Sequence, residues 1–242
     1  MNEPAFIITK EERTRGGSLP GPALGRVADL LARGGYALLP SDTCYSLAAL
    51  PPDSDDARNR INTVLGRPDI PISLAFPSLT ATRQWIARDP VVVSILKNFC
   101  PGPITVICAA LHEEMVIPRP FFEQAIRVLD RTVGVRIPDS IVERDVAACT
   151  EFPVTTVAVR TEGYKDIIQD FGQALQVFRS GMDLIERTEW CALEALDFYA
   201  HNSTIIRVPG QNSPADNVRD GDIPFTEIEA HIRRLLGTAG ER

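Results

Sequence analysis

Tyr36-Ala37-Leu38-Leu39-Pro40-Ser41-Asp42-Thr43-Cys44-Tyr45-Ser46-Leu47 is the stretch on which the fold turns. Four apolar residues in a row form a short buried strand, and Pro40, which has no amide hydrogen to give a ladder, stops it. Two hydroxyls and a carboxylate follow directly. Open α/β sheets place ligands at such strand ends; a polar turn that caps the next element has the same composition. Immediately before the strand, Leu24, Val27, Ala28 and Leu31 recur at helical spacing, and Gly34-Gly35 ends that helix.

The alternation of helix and strand continues downstream. Asp53-Ser54-Asp55-Asp56 introduces a second helix with Ala57, Ile61, Val64 and Leu65 on one face, the acidic residues facing the positive end of the dipole. Strands are expected over 72–76, 104–108, 133–137, 154–159 and 204–208. Val92, Ile95, Leu96 and Phe99 mark a helix that ends before Pro101-Gly102-Pro103. Thr226-Glu227-Ile228-Glu229 has the form of a capping box opening a closing helix, with Ile228, Ile232, Leu235 and Leu236 on its apolar face. The expected class is α/β, arranged as an N-terminal extension (1–19), one main domain (20–236) and a C-terminal tail (237–242). Residues 1–20 and 237–242 look like loose ends.

Composition narrows the function. The chain has 242 residues, 44% of them hydrophobic, which suits one large domain with a sizeable core. A net charge of −7 argues against a protein held on nucleic acid by overall charge, while leaving room for a local basic cleft. The apolar patch Ala5–Ile8 is too short for a secretory signal or a membrane span, so a cytoplasmic protein is expected. Five cysteines without a CxxC pair suggest neither a disulfide framework nor a zinc site, and three scattered histidines give no metal motif; no resident metal is expected.

Several charged residues stand in places that call for partners. Arg67 follows the second helix, where a cation meets the helix dipole or forms a fork for phosphate or carboxylate. Arg136 lies inside a strand between Val135 and Ile137, so its guanidinium needs either a structural Asp or Glu or a bound ligand. Pro101 to Thr105 is a stiff turn entering a strand. Arg160 follows a strand, Ser203 opens the last one, and Arg219 precedes the closing helix. There is no Walker or dinucleotide glycine loop and no GxSxG elbow.

Taken in order, these segments resemble the Sua5/YciO/YrdC family. PSDTCYSL (40–47) is similar to that family's PTDTVYGL, and Leu65-Gly66-Arg67 to its K-x-R element. PGPIT (101–105) is similar to PGPxT, VGVRIP (133–138) to VxVRxP, and residues 157–163 stand where TSANxSG does. STII (203–206) and Arg219-Asp220-Gly221 close the series, so the resemblance covers about residues 20–235.

The resemblance implies a twisted sheet with flanking helices around a large positively charged cleft. It implies an enzyme of the L-threonylcarbamoyladenylate synthase type, condensing an amino acid, bicarbonate and MgATP into a carbamoyl-adenylate that feeds tRNA modification. Double-stranded RNA contact is also implied, since some members were first described as RNA binders. By resemblance, Ser41, Thr43, Tyr45, Thr105 and Arg136 bind the amino acid. Arg67, Thr105, Ala158, Arg160, Ser203 and Arg219 bind the nucleotide, and Thr43, Arg67 and Arg136 act in catalysis.

The chain departs from the pattern in particular places. The motif lysine is Leu65; the serine and asparagine of TSAN are Ala158 and Arg160; Ser41 and Ser46 replace a threonine and a glycine. These departures imply a changed acceptor, or a binder of nucleotide or RNA that has lost turnover, or a carbamoyl-transfer enzyme of a specialised pathway. The charge lost at Leu65 and gained at Arg160 implies a relocated cation. Residues 112–130 exceed the family norm and are expected to form a lid or a partner surface.

Overall fold

The computed structural model describes residues 3–52, 54–67, 72–111, 132–160, 166–185, 187–210 and 214–239. The expected lid at 112–130, Pro68 and Pro71, Thr161-Glu162-Gly163 and the end of the tail at 240–242 lie outside them.

In chain order, the first half contains β1 (Phe6–Ile8), α1 (Gly21–Ala32), β2 (Tyr36–Pro40), β3 (Tyr45–Ala48), α2 (Asp55–Val64), β4 (Ser73–Ala75), α3 (Leu79–Thr82), α4 (Pro90–Phe99) and β5 (Ile104–Ala109). The second half contains β6 (Thr132–Arg136), α5 (Ile141–Cys149), β7 (Val154–Thr155), β8 (Val157–Ala158), α6 (Phe171–Met182), β9 (Trp190–Leu193), β10 (Thr204–Arg207), β11 (Asp216–Arg219) and α7 (Phe225–Ala239). The strands form two mixed sheets. One runs β1-β9-β2-β3-β8 and the other β11-β10-β5-β6-β4-β7. The class is α/β, as the alternating pattern implies.

Side-chain chemistry explains the helix starts. Ser54, Asp89, Ser140 and Asp170 each accept backbone N–H bonds at the first turns of α2, α4, α5 and α6. The closing helix departs from expectation: it begins at Phe225, one residue before Thr226, and the Phe225 N–H donates to Asp220 Oδ1 at 3.1 Å. On its expected apolar face Ile228 and Ile232 are buried and Leu235 packs half-buried on the core, while Leu236 is exposed. In α2, Ile61 and Val64 are buried, and Leu65 packs half-buried against the same core.

Three further differences have physical causes. Residues 6–8, expected to be loose, form β1, because Phe6, Ile7 and Ile8 pair with Cys191, Ala192 and Leu193 of a strand far along the chain. The run 154–159 is two strands: β7 pairs with β4 and β8 pairs with β3. Thr156, between them, donates its N–H to Ser73 O at 2.9 Å, while Thr155 donates to Ala49 O at 2.8 Å. The chain therefore changes sheets at Thr156. Residues 45–48 also form a strand, so β2 and β3 make a hairpin around the quoted polar turn, closed by Ser41 N–H to Cys44 O at 3.0 Å.

Candidate functional site

A cavity of about 310 Å³ opens on one face of the second sheet. Its floor follows from strand periodicity, since alternate residues share a face. Ile205 and Arg207 from β10, Thr105 and Ile107 from β5, Gly134 and Arg136 from β6 and Ser73 from β4 face the cavity. The residues between them, Thr204, Ile206, Val106, Val135 and Leu74, are buried. Ser203, just before β10, extends the floor. The walls are Arg58 and Arg67 from the α2 region, Thr156 to Ala158 and Arg160 from the sheet crossing, and Val218 and Arg219 from β11.

Six arginines thus line one cavity in a protein of net charge −7, and no acidic residue is among its described lining. Seven of the residues singled out in the sequence meet there: Arg67, Thr105, Arg136, Ala158, Arg160, Ser203 and Arg219. Arg58 and Arg207 join them without having been singled out. Arg207 could have been found from its spacing, two residues beyond Ile205 on one strand face.

Arg219 is held by its neighbours. Its guanidinium donates to Ser203 O through Nε at 3.0 Å and NH2 at 2.5 Å, and to Ser203 Oγ at 2.6 Å. Gly221 permits this approach, because a Cβ there would stand 2.4 Å from Asn202 O and Thr204 N. Burial, and repulsion from Arg160, Arg136 and Arg67, push the Arg219 pKa below the usual arginine value. Cations crowded in this way favour entry of an anion.

The Arg136 side chain has a structural acid for a partner. Asp42, from the turn between β2 and β3, is fully buried and forms an ion pair with Arg136. The same carboxylate accepts the Asp139 N–H at 3.1 Å and the Ser41 hydroxyl at 3.2 Å. Burial opposes the Arg136 charge, but Asp42 and Glu143 outweigh it and raise its pKa. Arg136 Nε remains buried without a hydrogen-bond partner, on a side chain that lines the cavity.

Glu143 gave no signal in the sequence. Placed in the first turn of α5, it is 0% exposed, and neither carboxyl oxygen has a hydrogen-bond partner. Burial raises its pKa; Arg136 and the nearby Ser41 and Thr156 hydroxyls pull the other way without offsetting it. Neither hydroxyl makes a hydrogen bond of normal geometry to it.

The structure does not bring Ser41, Thr43 and Tyr45 to the cavity. Ser41 lines a separate space of about 170 Å³ with Ser140 and Tyr199. The Thr43 hydroxyl turns to Cys44 Sγ, and its carbonyl accepts from Gln169 Nε2 at 2.8 Å. Tyr45 is in the core, its ring 5.6 Å from Phe171 and 5.1 Å from Phe198, and its hydroxyl accepts the Ala195 N–H. Burial pushes its phenol up to about 12. The hairpin is the reason: successive side chains of β3 point to opposite faces, and Tyr45 faces the helix side. What ties this turn to the cavity is Asp42.

Comparisons agree with this architecture. The P. abyssi Sua5 structure, solved in complex with L-threonine, superposes with a TM-score of 0.73 at 23% identity, covering 93% of this chain and 60% of that one. E. coli YciO matches at TM-score 0.70 and 18% identity, covering 92% and 97%. Full-length HypF in its phosphate- and nucleotide-bound form matches at 0.61 and 14%, covering 84% and 29%. No curated protein matches by sequence. The profile of the Sua5_yciO_yrdC family, described as telomere recombination, matches residues 29–221. The chain belongs to the Sua5/YciO/YrdC family.

Proposed function

We propose that the chain is an ATP-dependent carbamoyl-adenylate synthase acting on an amine. The observation that carries this reading is the arginine-lined cavity in which Arg67, Arg160 and Arg219 meet Thr105, Arg136 and Ser203. Preorganised cations of this kind stabilise the charge that develops on a transferring phosphoryl group. The L-threonine complex of P. abyssi Sua5 and the nucleotide-bound form of HypF support an amino acid and a nucleotide as ligands.

In this reading the amine, less a proton, joins bicarbonate carbon to form an N-carboxylate, and water leaves. A carboxylate oxygen then attacks the α-phosphorus of MgATP, the bond to the β-phosphate oxygen breaks, and pyrophosphate departs. Arg67, Arg160 and Arg219 hold the phosphates, and Ser203 bonds to the nucleotide. Thr105 and Arg136 flank the junction, with Asp42 fixing the guanidinium from behind. Arg160 supplies the cation that Leu65 does not, since Leu65 packs on the core while Arg160 lines the cavity wall.

A second reading, a nucleotide binder without turnover, is favoured by that same apolar Leu65. Incubating the protein with MgATP, bicarbonate and a panel of amino acids separates the two. Pyrophosphate release that requires both amine and bicarbonate supports the synthase. ATP binding with no release under any combination supports the binder.

A further inference from the structure

The cavity floor has a row that the proposed reaction leaves unused. Arg207, Ile107, Gly134 and Ser73 stand in register across four strands, and all four face the cavity. Each lies two residues along its strand from the row of Ile205, Thr105, Arg136 and Ala75. Two residues of strand rise separate the rows by about 6.6 Å. The second row holds the junction residues of the proposed reaction, so the first lies one short side chain away.

The first row is built to receive something. Arg207 Nε is buried with no hydrogen-bond partner. Its register partner on β11 is Asp216, yet no ion pair joins them among the described residues. Beside it, Ile107 and Ile205 offer apolar contact. Gly134 leaves the floor bare, since a Cβ there would stand 3.0 Å from Ser73 Oγ. A planar guanidinium matches a carboxylate with two parallel bonds, and methylenes suit the isoleucine shelf.

Building on the synthase reading, we propose that the row ending in Arg207 is a specificity subsite, which takes the side-chain carboxylate of an acidic amino-acid acceptor. The acceptor's amine lies at the Thr105–Arg136 row, its methylenes cross Ile107 and Gly134, and its terminal carboxylate meets Arg207.

The test compares acids with their amides. Pyrophosphate release is measured with L-glutamate against L-glutamine, and L-aspartate against L-asparagine, in the wild type and in Arg207→Met, which keeps an apolar stem. A charge-assisted pair gives the acid an advantage of tenfold or more in kcat/KM over its amide. In R207M that ratio falls towards one. Amides used as well as acids by the wild type would overturn the subsite, as would a ratio that R207M leaves unchanged. If no amine releases pyrophosphate, the synthase reading fails by itself. Calorimetric titration of glutarate then decides the subsite: binding weakened tenfold or more in R207M upholds it, and equal or undetectable binding in both proteins overturns it.

Discussion

Replacing Glu143 by Gln removes one ionisable carboxyl from the buried cluster behind the cavity while keeping its size. Glu143 is fully buried and both its oxygens lack partners, so burial holds its folded-state pKa above the usual carboxylate value. An acid with a raised folded pKa stays protonated in the native state while the unfolded chain has already lost its proton. Native protein therefore binds more protons than unfolded protein, and stability falls as pH rises between the two values. Each unit of pH in that window costs the wild type up to about 1.4 kcal/mol that Glu143→Gln does not lose. Titrating groups outside this cluster act on both proteins alike. Chemical denaturation at half-unit steps from pH 4 upward reads the difference directly. The two stability curves should converge at low pH and diverge as pH rises, with the variant the more stable. Parallel curves would refute the reasoning, because Glu143 would then ionise in the native state as readily as in water.

Further outcomes follow from the same cluster and cavity. Asp42→Asn leaves the Arg136 guanidinium buried without its counter-ion and should cost about 3–5 kcal/mol in a urea titration; a loss below about 1 kcal/mol would mean that another group neutralises Arg136. Arg67→Ala and Arg219→Ala should each weaken calorimetric binding of a non-hydrolysable ATP analogue by about tenfold or more, and unchanged affinity in both would remove them from the phosphate site. Arg160→Asn should lower the same affinity, and adding Leu65→Lys should restore part of it; no recovery would count against the relocated cation.

The parts of this fold that were legible in the sequence are those that local pattern controls. The strand 36–39, the α2 face and the closing helix each carry a full period of apolar residues. Pairing between distant segments left no such mark. β1 is three residues long and is a strand only because β9 lies beside it, at a sequence distance no local window spans. The sheet crossing at Thr156 is hidden because a run of β-branched residues looks the same whether it pairs with one sheet or two. The site divides in the same way. Floor residues such as Thr105, Arg136 and Ser203 stood out through their ordered motifs, and strand alternation aims them at one face. Tyr45 belongs to an equally strong motif, but the turn at 41–44 sends its ring into the core. The partner of Arg136 is 94 residues away, and only folding shows it to be Asp42. Glu143 sits among Val142, Val146 and Ala147 on a buried helix face, where nothing in the pattern marks a carboxyl.

The central claim is that carbon from bicarbonate becomes joined to both an amine and the α-phosphate of ATP in the arginine-lined cavity. Mass spectrometry of a reaction supplied with ¹³C-bicarbonate, MgATP and a mixture of amino acids tests it most directly. The account predicts a new adenylate one mass unit heavier than that made from ¹²C-bicarbonate, releasing AMP on hydrolysis and much reduced in Arg219→Ala. A product of unchanged mass, or an adenylate formed equally well without bicarbonate, would contradict it.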